Sequence, residues 1–167
     1  MSGSPHRTRA ILFVCLGNIC RSPLAKAVFA QQARARGVID RFEIDSCGTG
    51  SWHAGGPADP RTLAVAKRFG IPMVHTARQF DPGADAGRFE LILAMDRDNA
   101  AALRSMGAPR ERVRLFRSFD PELRGEDGAA IDVPDPYLGG PEGFEHMYHL
   151  ISRASAGLLD HLQEPAK

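Results

Sequence analysis

The sequence predicts an α/β fold: a single-domain three-layer sandwich with a central parallel sheet of about four strands and helices on both faces. Three observations lead there. Strand-like and helix-like segments alternate along the chain, the mark of βαβ units whose right-handed crossovers build a parallel sheet. The first strand-like run, residues 10–15, is apolar throughout, as a strand covered on both faces must be. The length of 167 residues suits one domain, which can bury roughly 70% of its unfolded surface without a metal or a disulfide.

The elements follow in order. Residues 10–15 form the first strand. Ser22-Pro23 then reads as a helix start, with Ser22 as N-cap and Pro23 at the first helical position. Leu24, Ala27, Val28, Gln31 and Ala35 continue at helical spacing, and Gly37 stops the helix. Residues 42–46 place Phe42, Ile44 and Ser46 on one face of a second strand. Asp59-Pro60 repeats the cap-then-proline signal, with Leu63, Ala66 and Phe69 as the buried stripe and Gly70 as the stop. Residues 89–95 are a third strand, 96–106 a helix ending at Gly107, and 113–116 a short fourth strand. Proline and glycine recur through 118–141, which reads as a long loop. Residues 144–162 close the fold as a helix that buries Met147, Leu150, Ile151, Ala154 and Leu158. The folded domain is therefore expected at 10–163, with 1–9 and 164–167 as flexible ends.

Composition narrows the function. The chain is 43% hydrophobic and 25% charged, enough apolar surface to offset chain entropy, so disorder is excluded as its main state. A formal net charge of +1 argues against a general nucleic-acid or membrane-surface binder. It leaves room for a local positive pocket. No run approaches a membrane span, and no Ala-x-Ala-like cleavage site follows the first apolar run, so the protein is expected in the cytoplasm. Three cysteines, Cys15, Cys20 and Cys47, make no disulfide framework. No Cys-x2-Cys or His-x3-5-His spacing suggests zinc, and neither a metal nor a cofactor is expected.

In parallel sheets ligands bind at the carboxyl ends of the strands. Those ends deliver Cys15, Ser46-Cys47, Asp96 and the loop with Asp135. The first junction reads Val14-Cys15-Leu16-Gly17-Asn18-Ile19-Cys20-Arg21-Ser22-Pro23. Bare Cys-x5-Arg is a weak motif, but here the cysteine closes a buried strand and the arginine opens a helix. Gly17 and Asn18, which tolerate positive φ, lie between them. Such a junction aims several backbone N–H groups and a positive helix end at one spot, a cradle sized for phosphate. Those groups and Arg21 favour the Cys15 thiolate, a nucleophile lying in line with a bound phosphorus. Arg21 can hold two phosphoryl oxygens while charge builds. Ser22 is placed to donate to the sulfur. A leaving alkoxide or phenoxide needs a proton donor. Asp135, held between Pro134 and Pro136, is one candidate; Asp132, Asp120 and Asp96 are the others.

The chain resembles the low-molecular-weight protein tyrosine phosphatases from about Arg9 to Leu162. The matching stretches are residues 12–23, Asp45-Ser46, Gly70-Ile71-Pro72-Met73 with His75, Ala77-Arg78-Gln79, Met95-Asp96, Ser118-Phe119-Asp120-Pro121 and Asp135-Pro136-Tyr137. The resemblance implies Cys15 as nucleophile, Arg21 as phosphate clamp and Asp135 as general acid and base. It implies that Leu16, Gly17, Asn18, Ile19, Cys20 and Ser22 line the phosphate site. Asn18, Ser46 and His75 then form the network holding the loop in shape. Trp52 and Tyr137 are expected as cleft walls that select phosphotyrosine by depth, and Cys20 as a partner that traps oxidised Cys15. Phosphotyrosine-containing proteins are the implied partners and inorganic phosphate the product. Three departures stand out: Leu138 in place of a second tyrosine, Pro134 in place of an acidic residue, and the Cys47-Gly48 pair. Arsenate reductases of this fold need further cysteines downstream, and none follows Cys47. Arginine phosphatases tend to carry threonine where Ile19 stands. A non-catalytic phosphotyrosine-binding module would lack the nucleophile or the acid, and both are present.

Overall fold

The computed structural model describes residues 7–123 and 125–163. Most of the expected N-terminal tail and all of the expected C-terminal end lie outside them. Four strands form one sheet in the order β2-β1-β3-β4, and every pair is parallel. They are β1 (Arg9–Cys15), β2 (Phe42–Gly48), β3 (Leu91–Ala94) and β4 (Val113–Leu115). Among the described residues five α-helices connect or cover them: α1 (Arg21–Ala35), α2 (Pro60–Arg68), the single turn α3 (Pro82–Asp85), α4 (Arg97–Ser105) and α5 (Pro141–Gln163).

The three layers follow from side-chain alternation on β1. Ile11, Phe13 and Cys15 face a core shared with α1 and α5. Leu12 and Val14 face the other core, with Phe89 and with Ala100 and Leu103 of α4. Phe13 anchors the first core, with its ring centroid 5.8 Å from Phe29 and 5.3 Å from Phe116. Removing so large a buried ring costs about 3–5 kcal/mol. The predicted stripe of α5 is buried at all five positions.

Several boundaries differ from expectation. β2 runs on to Gly48, because its end pairs with Gln79 and with β1 beside Cys15. β3 and β4 are shorter than predicted. Ser22 is not the cap of α1. The helix begins at Arg21, Cys20 occupies the cap position with no side-chain hydrogen bond, and the Ser22 hydroxyl turns to the Cys15 sulfur instead. Asp59 does cap α2, accepting from Arg61 N at 2.8 Å. Leu63 is exposed while Val65 and Ala66 are buried, since α2 presents that side to α5.

The long loop is partly ordered by 3-10 turns at Phe116–Phe119, Pro121–Leu123 and Gly128–Ile131. Buried Arg117 donates to the carbonyls of Ala130 and Asp132 at 2.8 and 3.0 Å. Val133 N–H donates to Met95 O at 2.7 Å, which ties the segment before Asp135 to the carboxyl end of β3.

Candidate active site

Residues 16–20 connect β1 to α1 with no regular secondary structure. Asn18 sits at φ 56, the one non-glycine residue in the left-handed region among those described. Such a backbone is costly for most side chains and milder for asparagine. Four hydrogen bonds hold it. Asn18 Nδ2 donates to Ser22 Oγ at 2.9 Å and to Ser46 Oγ at 3.1 Å. Its Oδ1 accepts from Arg78 N at 2.9 Å, and its carbonyl accepts from His75 Nε2 at 2.6 Å. The carbonyl can only accept, so His75 carries its proton on Nε2. Burial lowers the His75 pKa from its ordinary 6.5, outweighing that bond, so the ring is held neutral. Gly48 lets β2 come close: a β-carbon there would meet Leu16 O at 2.6 Å.

The sulfur of buried Cys15 lies at the floor, 3.0 Å from Ser22 Oγ. The Ser22 hydroxyl accepts from Asn18, which leaves its single proton for the sulfur or for Cys47 O at 3.3 Å. Among the described residues, no carbonyl or side chain accepts from the backbone N–H groups of residues 16–20. They are uncommitted donors in the loop that follows Cys15, and the N-terminus of α1 adds its own.

Arg21 stands at the rim, nearly fully buried. Its Nη1 donates to Asp96 Oδ2 at 2.6 Å and to Val133 O at 3.0 Å, while its Nη2 lies 3.5 Å from Asp135 Oδ2. Burial works against this cation, but the neighbouring Cys15 sulfur, Asp96 and Asp135 outweigh it and hold the guanidinium protonated more firmly than an ordinary arginine. Asp135 is 42% exposed at its side chain and accepts from Tyr137 N at 3.1 Å.

The competing carboxylates have other duties. Asp96 caps α4 through Asn99 N at 2.7 Å and anchors Arg21. Asp132 pairs with Arg97. Asp120 is buried away from the cleft between Arg117 and Arg153.

The cleft has a volume of about 130 Å³ and is lined by Cys15, Leu16, Gly17, Ile19, Cys20, Arg21, Trp52, His53, Asp135 and Tyr137. A space of roughly 150 Å³ holds one benzene ring, so a single aromatic group fills it. Trp52 is 73% exposed and contributes to the wall, not to the core. Cys20 is buried, and that burial, with Asp59 beside it, pushes its thiol up to about 12. Burial also pushes Cys47 up, well beyond an ordinary thiol.

Some of this was not anticipated from sequence. His53 lines the cleft beside Trp52 with no signal beyond adjacency. Arg78 supports Asn18 through its backbone while its side chain bridges Asp45 and Asp85. Asp96 was foreseen at a strand end, but its grip on Arg21 joins residues 75 positions apart.

The family of low molecular weight phosphotyrosine protein phosphatases matches residues 10–167. The chain belongs to that family. It is 47% identical over 161 residues to a low molecular weight protein-tyrosine-phosphatase of Streptomyces coelicolor, covering 94% of this chain and 95% of the relative. Among solved structures, YfkJ from Bacillus subtilis superposes with a TM-score of 0.85 at 36% identity, covering 96% of this chain and 98% of that one. The Drosophila arginine phosphatase DARP superposes with a TM-score of 0.83 at 28% identity, covering 93% and 99%. The protein is thus an enzyme of the protein-tyrosine phosphatase class.

Proposed function

We propose that this enzyme hydrolyses phosphotyrosine in proteins, and small aryl phosphates, through a phosphocysteine on Cys15 with Asp135 as acid and then base. The observation that carries this reading is a buried thiol sharing one cleft with a loop whose backbone N–H groups are uncommitted, with Arg21 and Asp135 3.5 Å apart at the mouth. In the first step the Cys15 thiolate attacks phosphorus, the bond to the phenolic oxygen breaks, and Asp135 gives that oxygen a proton. In the second step water attacks phosphorus, Asp135 takes the water proton, and the sulfur leaves with help from the Ser22 hydroxyl. Inorganic phosphate is released. Arg21 and the loop amides stabilise the equatorial oxygens in both steps.

The walls support an aryl substrate. Trp52 and Tyr137 flank the opening, and a phenyl ring between them carries its phosphate down to the sulfur, where a short phosphoserine would fall short. Ile19 on the lining is apolar and suits an aryl ester better than a guanidinium.

Cys20 supports a redox role. Peroxide converts the Cys15 thiolate to a sulfenic acid, and the Cys20 thiol condenses with it to a disulfide and water, which a thiol reductant reverses. The three cysteines are free, as suits the cytoplasm, where we place the enzyme. Among the described residues no helix is long and apolar enough to cross a membrane, and no cluster of His, Cys, Asp or Glu is arranged to hold a metal ion.

The test is p-nitrophenyl phosphate and phosphotyrosine peptide hydrolysis by wild type and Cys15→Ser. Wild type is expected to release phosphate, with inhibition by vanadate and none by EDTA, and Cys15→Ser to release none. Absence of wild-type turnover would overturn the assignment and favour a binding module.

A further inference from the structure

A second charged pair, outside the phosphate loop, bridges the floor of the cleft to its acid-bearing rim. Asp59 is buried, and its backbone N–H donates to Ile19 O in the phosphate loop at 2.9 Å. The Arg61 side chain grips its carboxylate with two bonds, Nε to Oδ1 at 3.0 Å and Nη2 to Oδ2 at 2.8 Å. The Arg61 guanidinium carbon lies 4.5 Å from the ring centroid of buried Phe144 and 5.4 Å from that of Tyr137. Tyr137 N–H in turn donates to Asp135 Oδ1. The path from Ile19 through Asp59, Arg61 and Tyr137 to Asp135 is unbroken.

We propose that Asp59 and Arg61 are positioning residues, which hold Tyr137 at a set distance from the phosphate loop and so aim the Asp135 carboxyl at the leaving oxygen. This deepens the phosphotyrosine reading above and rests on Asp135 being its acid.

Helix capping accounts for only part of the arrangement. The cap needs Asp59 and the Arg61 N–H, and makes no demand on the Arg61 side chain. The fork instead neutralises a buried carboxylate, holding Asp59 below its ordinary range. It does so while lying against two rings, a combination open to the planar guanidinium and closed to the compact ammonium of lysine. The acid loop needs such a holder. Asp135 and Tyr137 are both substantially exposed, and the only other ring near Tyr137 among the described residues is His53, at 6.3 Å between centroids.

The experiment measures kcat and KM on aryl phosphates of graded leaving-group pKa for wild type, Arg61→Ala, Arg61→Lys, Asp59→Asn, Asp135→Ala and the Arg61→Ala, Asp135→Ala double variant. Misplacing a catalytic group by a fraction of an ångström is worth about tenfold in rate. Arg61→Ala is therefore expected to lower kcat on phosphotyrosine about tenfold, with smaller losses as the leaving group improves. Inhibition by inorganic phosphate should not move, because Arg61 does not touch the phosphate site. Arg61→Lys should fail to rescue. In the Asp135→Ala background Arg61→Ala should cost nothing further. Asp59→Asn keeps an oxygen for the cap and loses the charge, so it should reproduce the loss even if Arg61→Ala does not fold. Equal losses on every leaving group, full rescue by lysine, or losses that multiply in the double variant would each overturn the proposal. If Asp135→Ala itself shows no leaving-group dependence, the acid assignment fails first and takes the positioning role with it.

Discussion

Asn18, behind the floor of the cleft and not on its lining, is fully buried, donates twice and accepts twice, and is tied to three separate segments of chain. Trp52 at the rim is largely exposed, and its ring lies over Gly50, where a β-carbon would collide with it. Leu138, also at the rim, is almost wholly exposed. On the proposed reading the floor would meet the same phosphoryl group in every turnover, so rigidity there costs nothing in scope and preorganises the donors. The rim would meet whatever sequence surrounds the phosphotyrosine, and apolar surfaces with few fixed partners accommodate variety. Substitutions at the floor should therefore act on kcat and stability, and those at the rim on KM.

Asp135 belongs to the rim by position and, in the proposed mechanism, to the chemistry by role, so it tests that division hardest. Asp135→Ala should lower kcat on phosphotyrosine by about 10²–10⁴, and by much less on p-nitrophenyl phosphate, whose leaving group needs less help. Steady-state rates on both substrates check this, and equal losses would remove Asp135 from the role.

Asn18→Ala comes next. It removes the three hydrogen bonds made by the side chain and leaves alanine at a left-handed φ, a combined loss of about 2–4 kcal/mol in urea unfolding. The relaxed loop should also lose roughly 10² in kcat. A variant with normal stability and a rate close to wild type would show that the floor needs no such brace.

Trp52→Ala should raise KM for a phosphotyrosine peptide severalfold, about 1 kcal/mol of lost aromatic contact, with kcat nearly unchanged. Thermal stability should move by less than about 0.5 kcal/mol, as for other exposed positions. A fall in kcat with KM unchanged would place Trp52 with the floor.

The smallest effect concerns pH. His75 is held below its ordinary 6.5, chiefly by burial. As pH falls below 6.5 the unfolded chain takes up this proton before the folded one, so the stability present above 6.5 is lost as pH drops through the lower folded value. Urea midpoints followed through that window should fall less steeply for His75→Gln than for wild type. Parallel curves would show that His75 is not the group titrating.

Local chemistry made much of this legible in advance. The all-apolar run ending at Cys15, the glycine and asparagine after it and the arginine before Pro23 announced a tight strand–helix junction, because strand burial, positive φ and helix polarity are short-range properties. The same locality misled at Ser22, where a cap signal competed with a demand from the sulfur that comes only once the loop has closed. Spacing alone left four carboxylates open as the acid. Asp120 and Asp132 are committed to partners distant in the chain, Arg153 and Arg97, and Asp96 caps α4 while it holds Arg21; of the four, Asp135 is the one that lines the cleft.

By itself the sequence determined the alternation of elements, the parallel sheet and the strand–loop–helix junction that carries Cys15 and Arg21, since each depends on residues within one turn or one strand of one another. Only the tertiary structure decided which carboxylates meet Arg21, what holds Asn18 in its left-handed turn, and that Arg61 lies between Asp59 and the ring of Tyr137. Those relations span dozens of residues and exist because the sheet brings the carboxyl ends of β1, β2 and β3 to one edge, where groups with no sequence relation meet at hydrogen-bond distance.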